Sequence, residues 1–77
     1  MSRQPYWQYE QISAELIREI NNGELAIHTK LPSEKELCDL FGVSRITVRK
    51  ALTDLEGKNY IEKRQGQGSF VKDRYTG

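Results

Sequence analysis

Arg45, Ile46, Thr47, Arg49 and Lys50 all fall within residues 45–50, close behind Ser33, Lys35 and Ser44. Guanidinium, ammonium and hydroxyl groups at that density bind anions and the hydrogen-bonding edges of bases. An arginine fork can donate two parallel hydrogen bonds to guanine O6 and N7, a contact that discriminates by about 1–3 kcal/mol. Ser44 and Thr47 can donate to phosphate oxygens where a helix N-terminus also presents free amides and its positive dipole end. Ile46 is the apolar exception: contact with a thymine methyl, contact with protein, or incidental exposure would each account for it. No acid–base pair, nucleophilic triad or metal cluster can be assembled around the single histidine, His28, and the single cysteine, Cys38. Gly66-Gln67-Gly68 resembles the start of a dinucleotide fingerprint, but no helix pattern follows it and Val71 stands where the last glycine belongs. Neither an enzyme nor a cofactor is expected.

These groups are useful only if a helix presents them together. Val48, Ala51, Leu52 and Leu55 recur at helical spacing. With about 100° per residue, Ile46, Lys50 and Thr53 fall roughly opposite Val48, with Arg49 and Thr47 flanking them. Arg45 leans toward the core side, but its long side chain can swing out from the first turn. Ser44 is a good N-cap and Gly57 a stop, so this helix is expected over about residues 45–56. Before it, Ser33-Glu34-Lys35-Glu36 forms a capping box. Leu37, Leu40 and Phe41 supply an apolar face and Gly42 a stop, giving a short helix over about 34–41. Two helices joined by Gly42-Val43-Ser44 make a helix-turn-helix.

Tyr9, Ile12, Leu16 and Ile20 form an apolar stripe on an earlier helix, expected at about 6–22 between Pro5 and Gly23. The intervening loop ends near Lys30-Leu31 in a short extended piece. Tyr60–Arg64 and Ser69–Lys72 are β-prone runs around the four-residue loop Gln65-Gly66-Gln67-Gly68. The expected fold is therefore mainly α with a small β-hairpin: a three-helix winged helix-turn-helix, its wing over about residues 59–72. Glycines let the hairpin tip approach a ligand closely, so Gln65–Gly68 are assigned to a minor-groove or phosphate contact. Arg45, Arg49 and Ile46 are assigned to bases, and Ser33, Lys35, Ser44, Thr47 and Lys50 to the phosphate backbone.

Seventy-seven residues suffice for one small domain. Hydrophobic residues make up 36% and charged residues 30%, a globular composition with no apolar run long enough for a membrane span. The polar N-terminus has no secretory h-region, and one cysteine cannot form an internal disulfide, so a cytoplasmic setting is expected. The net charge of +1 hides a division. Residues 1–43 carry four cations against seven carboxylates, and residues 44–72 carry seven cations against three. A basic second half suits a polyanion. A protein-docking module is the rival reading, with Tyr6 and Trp7 as a conceivable contact surface, although local packing suits them as well.

Leu31-Pro32-Ser33-Glu34-Lys35-Glu36-Leu37, then Phe41 through Leu52, then Gly66-Gln67-Gly68-Ser69-Phe70-Val71 resemble the GntR family of bacterial transcription regulators, as does Tyr9-Glu10-Gln11-Ile12. The wing pattern is similar to the HutC-type branch. The resemblance implies a homodimeric repressor on a palindromic double-stranded operator, with Arg45 and Arg49 on bases and Gly66 at the minor groove. It also implies a larger C-terminal domain, beyond Gly77, that binds a small-molecule effector and dimerises. The family often has Glu-Arg-Glu where this chain has Glu34-Lys35-Glu36. Lysine is a point charge without arginine's fork, so a phosphate contact is expected at Lys35.

Overall fold

The computed structural model describes residues 8–72. Three helices, α1 (Tyr9–Asn21), α2 (Glu34–Phe41) and α3 (Arg45–Gly57), precede two antiparallel strands, β1 (Ile61–Arg64) and β2 (Gly68–Val71). This is the winged helix-turn-helix expected from the pattern of apolar residues and turns. The first positions expected in helix 1, residues 6 and 7, lie outside the described residues, as do Pro5, Asp73 and Arg74.

Each helix start has a local cause. The Gln8 amide donates to Gln11 Oε1 at 2.8 Å, satisfying one donor at the head of α1. At α2 the Glu36 amide donates to Ser33 Oγ at 3.1 Å, and the Ser33 amide donates to Glu36 Oε1 at 2.8 Å. At α3 the Thr47 amide donates to Ser44 Oγ at 3.3 Å. Gly42, with φ 68°, takes the left-handed conformation that separates α2 from α3.

Ile12 and Leu16 of α1, Leu37 and Phe41 of α2, and Val48, Ala51, Leu52 and Leu55 of α3 meet in one core, closed below by Leu31, Ile61 and Val71. Burying a Leu, Ile, Val or Phe side chain contributes roughly 1.5–3 kcal/mol, so this single cluster carries the fold. A buried polar link joins α1 to α3: Ser13, 1% exposed, donates from Oγ to Asp54 Oδ2 at 2.6 Å. That hydrogen bond, seconded by Lys58 Nζ at 3.1 Å, holds the Asp54 carboxyl below its ordinary pKa.

Three expectations need correction. Leu40 is 71% exposed and lies outside the core. The buried arc of α2 runs from Leu37 through Phe41 to the partly buried Cys38, which leaves Leu40 about 100° from its centre. Gly57 remains helical, and the chain turns instead at Asn59, where φ is 69°; asparagine tolerates that region better than most residues. The wing loop has three residues, because Gly68 already pairs with Arg64 in the strand register. Lys30 forms a bridge with Phe70, and the Leu31 amide donates to the Ser69 carbonyl at 2.8 Å. The loop before α2 thus runs beside β2 and ties the wing to the helix-turn-helix.

Candidate nucleic-acid interface

Arg45 and Arg49 lie one turn apart on α3, and both point at the carboxylate of Glu34, the first residue of α2. Arg49 Nε donates to Glu34 Oε2 at 3.2 Å and to Oε1 at 3.3 Å, while Arg45 Nε lies 3.8 Å from Oε1. The two arginine side chains are about three-fifths exposed, at 58% and 60%, and Glu34 is 33% exposed. Exposed pairs of this kind contribute only about 0–1 kcal/mol to stability; their consequence is orientation. One carboxylate gathers both Nε edges, and the terminal Nη groups donate no hydrogen bond to any described residue. The Arg49 fork is thus hydrogen-bonded through Nε and open at its end, while Arg45 stands at ion-pair distance only and its fork is open as well.

The assigned residues, these two arginines included, divide between two spaces beside α3. Ser33, Lys35 and Arg45 face the wing residues Gln65, Gly66, Gln67 and Gly68 across an open cleft of about 610 Å³. Ile46, Arg49 and Lys50 line a second, shallower groove with Tyr9, Thr53 and Asp54. Ile46 is 68% exposed, so the β-branched side chain has no packing role of its own. Ser44 and Thr47 border neither space; their hydroxyls lie 3.2 Å apart in the first turn of α3. All four wing-tip residues are exposed. Arg64, behind the tip, lies over the Phe70 ring at 4.4 Å from its centroid and pairs with Glu62 at 2.9 Å. His28 is exposed.

Glu34, which pairs with both arginines, is not singled out by the sequence. Its fifteen-residue separation from Arg49 spans two helices, and no local pattern links them. The only available signal was a carboxylate beside the Ser33 cap, in the first turn of a helix that precedes an arginine-bearing one.

A family model described as "Bacterial regulatory proteins, gntR family" matches residues 8–71. The chain is 45% identical over 64 residues to the "Uncharacterized HTH-type transcriptional regulator YurK" of Bacillus subtilis (strain 168), covering 83% of this chain and 26% of that protein. It is 44% identical over 63 residues to the "HTH-type transcriptional repressor NagR" of the same organism, covering 82% and 26%. It therefore spans about a quarter of the length of the curated relatives it matches. Among solved structures, AraR(DBD) in complex with operator ORE1 aligns with a TM-score of 0.81 and 41% identity, covering 86% of this chain and 80% of that one. The relatives named are transcription regulators, not enzymes.

Proposed function

Because the chain belongs to the GntR family of bacterial regulatory proteins, we propose that it reads operator DNA sequence-specifically for a transcription repressor. The observation that supports this most is the pairing of Glu34 with both Arg49 and Arg45, which leaves the ends of both guanidinium groups open to a ligand on the exposed part of α3. With α3 in the major groove, those forks reach guanine edges and Ile46 reaches a thymine methyl. Ser33, Ser44, Thr47, Lys35 and Lys50 hold the phosphates that fix register. The tip Gln65–Gly68 enters the adjacent minor groove, where Gly66, with φ 76°, keeps the backbone free of bulk.

The whole protein, on this reading, is a cytoplasmic bacterial homodimer on a palindromic operator, its affinity set by a small-molecule effector bound to a C-terminal domain. The wing sequence Gly66-Gln67-Gly68-Ser69-Phe70-Val71 supports the HutC-type branch. Two copies on two half-sites double the number of base contacts, so the 77-residue chain alone binds more weakly than the dimer.

Selection of bound duplexes from a random-sequence library by the 77-residue chain tests this reading. A reproducible consensus is expected, and wild type and Ile46→Ala should select consensus sequences that differ at one position. An unenriched library would overturn the reading; identical consensus sequences would remove Ile46 from it.

A further inference from the structure

The cleft between the wing and the helix-turn-helix contains more positive charge than the assigned residues supply. Lys30 and Lys63 line it together with Lys35. Arg18, Arg45, Arg49, Lys58 and Arg64 all have carboxylate partners. Among the described residues Lys30, Lys35, Lys50, Lys63 and Lys72 have none, and three of these, Lys30, Lys35 and Lys63, line the cleft. Three uncompensated ammonium groups therefore share one cleft, where their mutual repulsion favours an anionic occupant.

The position of Lys30 is fixed from both ends. Its backbone bridges Phe70 of β2. Its side chain lies over the wing glycine, such that a Cβ at Gly68 would sit 2.9 Å from Lys30 Cε and 3.8 Å from its Nζ. The ammonium thus lies beside the wing glycine, and Lys30 lines the cleft together with Ser33 and Lys35. Lys63 comes from the other strand of the same hairpin, paired with Ser69.

The shape of duplex DNA says what belongs there. If α3 occupies the major groove and the hairpin tip the neighbouring minor groove, one sugar–phosphate strand separates the two grooves. That strand must pass between α3 and the wing. We propose that Lys30 and Lys63, together with Lys35, form the seat of this strand, each ammonium neutralising a phosphate as the protein closes over it. The proposal rests on the operator-reading function above and adds two binding residues from outside the helix-turn-helix. It also gives the open cleft a definite occupant.

Counterion release provides the test. Each phosphate contact contributes about 0.9 to the slope of log affinity against log salt on B-form DNA. The 77-residue chain and its variants would be titrated against one 24-base-pair duplex of arbitrary sequence across a series of salt concentrations, with circular dichroism confirming the fold of each. Lys30→Gln and Lys63→Gln should each lower the slope by about 0.9, the double variant by about 1.8, and Lys30→Arg should retain the wild-type slope. Lys58→Gln, which removes one charge just beyond the C-terminus of α3 from a residue that does not line the cleft, should leave the slope unchanged. A wild-type slope in both Lys30→Gln and Lys63→Gln, or an equal drop in Lys58→Gln, overturns the strand seat and leaves the operator-reading proposal standing. A wild-type chain with no duplex affinity overturns both.

Discussion

Glu34 Oε2, at the start of α2, lies 3.2 Å from Arg49 Nε on α3. The same carboxylate reaches toward Arg45 at 3.8 Å. A negative charge in the middle of a surface meant for a polyanion lowers raw affinity. It is tolerable where the orientation it imposes matters more than the attraction it costs, and sequence discrimination is such a case.

Glu34→Gln is therefore expected to move two affinities in opposite directions. Binding to random duplex should tighten, because one repelling charge is gone. The ratio of specific to random binding should fall about tenfold, or ~1.4 kcal/mol, because the arginine forks lose their common anchor. Parallel titrations of the selected duplex and a scrambled one measure both; an unchanged ratio would reduce Glu34 to a surface carboxylate.

Arg49→Ala should weaken binding to the selected duplex by about 1–3 kcal/mol and relax one base position. Its loss on random duplex should be smaller. Equal losses on the two duplexes would assign Arg49 to phosphate instead of base.

The Ser13–Asp54 hydrogen bond makes a prediction about stability. Its loss in Ser13→Ala should cost about 1 kcal/mol at neutral pH. The folded state holds the Asp54 carboxyl below its ordinary value of 3.8, so this contribution is present above that value and fades as pH falls through the folded one. Thermal unfolding at pH 7 and at a series of acid values below 3.8 should show the gap between variant and wild type narrowing as pH falls. A gap that persists would mean the serine acts through packing alone.

Leu37 and Leu40 separate the core from the surface of α2. Leu37→Ala should destabilise by about 2–5 kcal/mol, whereas Leu40→Glu should stay within about 0.5 kcal/mol of wild type. Denaturant midpoints decide it, and a large cost at Leu40 would mean that something covers this residue in solution.

Much of this architecture could be read from the sequence because its causes are local. The Ser33–Glu36 capping box, the Ser44 cap and the Val48–Leu55 spacing each act within one or two turns, and they fix α2, α3 and the outward face of α3. Leu40 misled because three apolar residues on a two-turn helix do not say which way their arc is centred; the packing of Cys38 decides that. Gly57 misled because a glycine permits a turn without requiring one, and Asn59 took it. Contacts between distant segments left no trace in the sequence, Glu34 with Arg49 and Lys30 over Gly68 among them. The charge division along the chain even pointed the wrong way for Lys30 and Lys35. Both stand in the acidic first half, yet the fold brings them to the basic cleft.

This surface is expected to distinguish one DNA sequence from another. The most direct measurement is competition between the selected duplex and a scrambled duplex of equal length and composition, at fixed salt, for the 77-residue chain. The selected duplex should win by at least about fivefold, the discrimination expected when even one base pair is read at about 1–3 kcal/mol. Equal affinity for the two duplexes would mean that the surface binds DNA without reading its sequence.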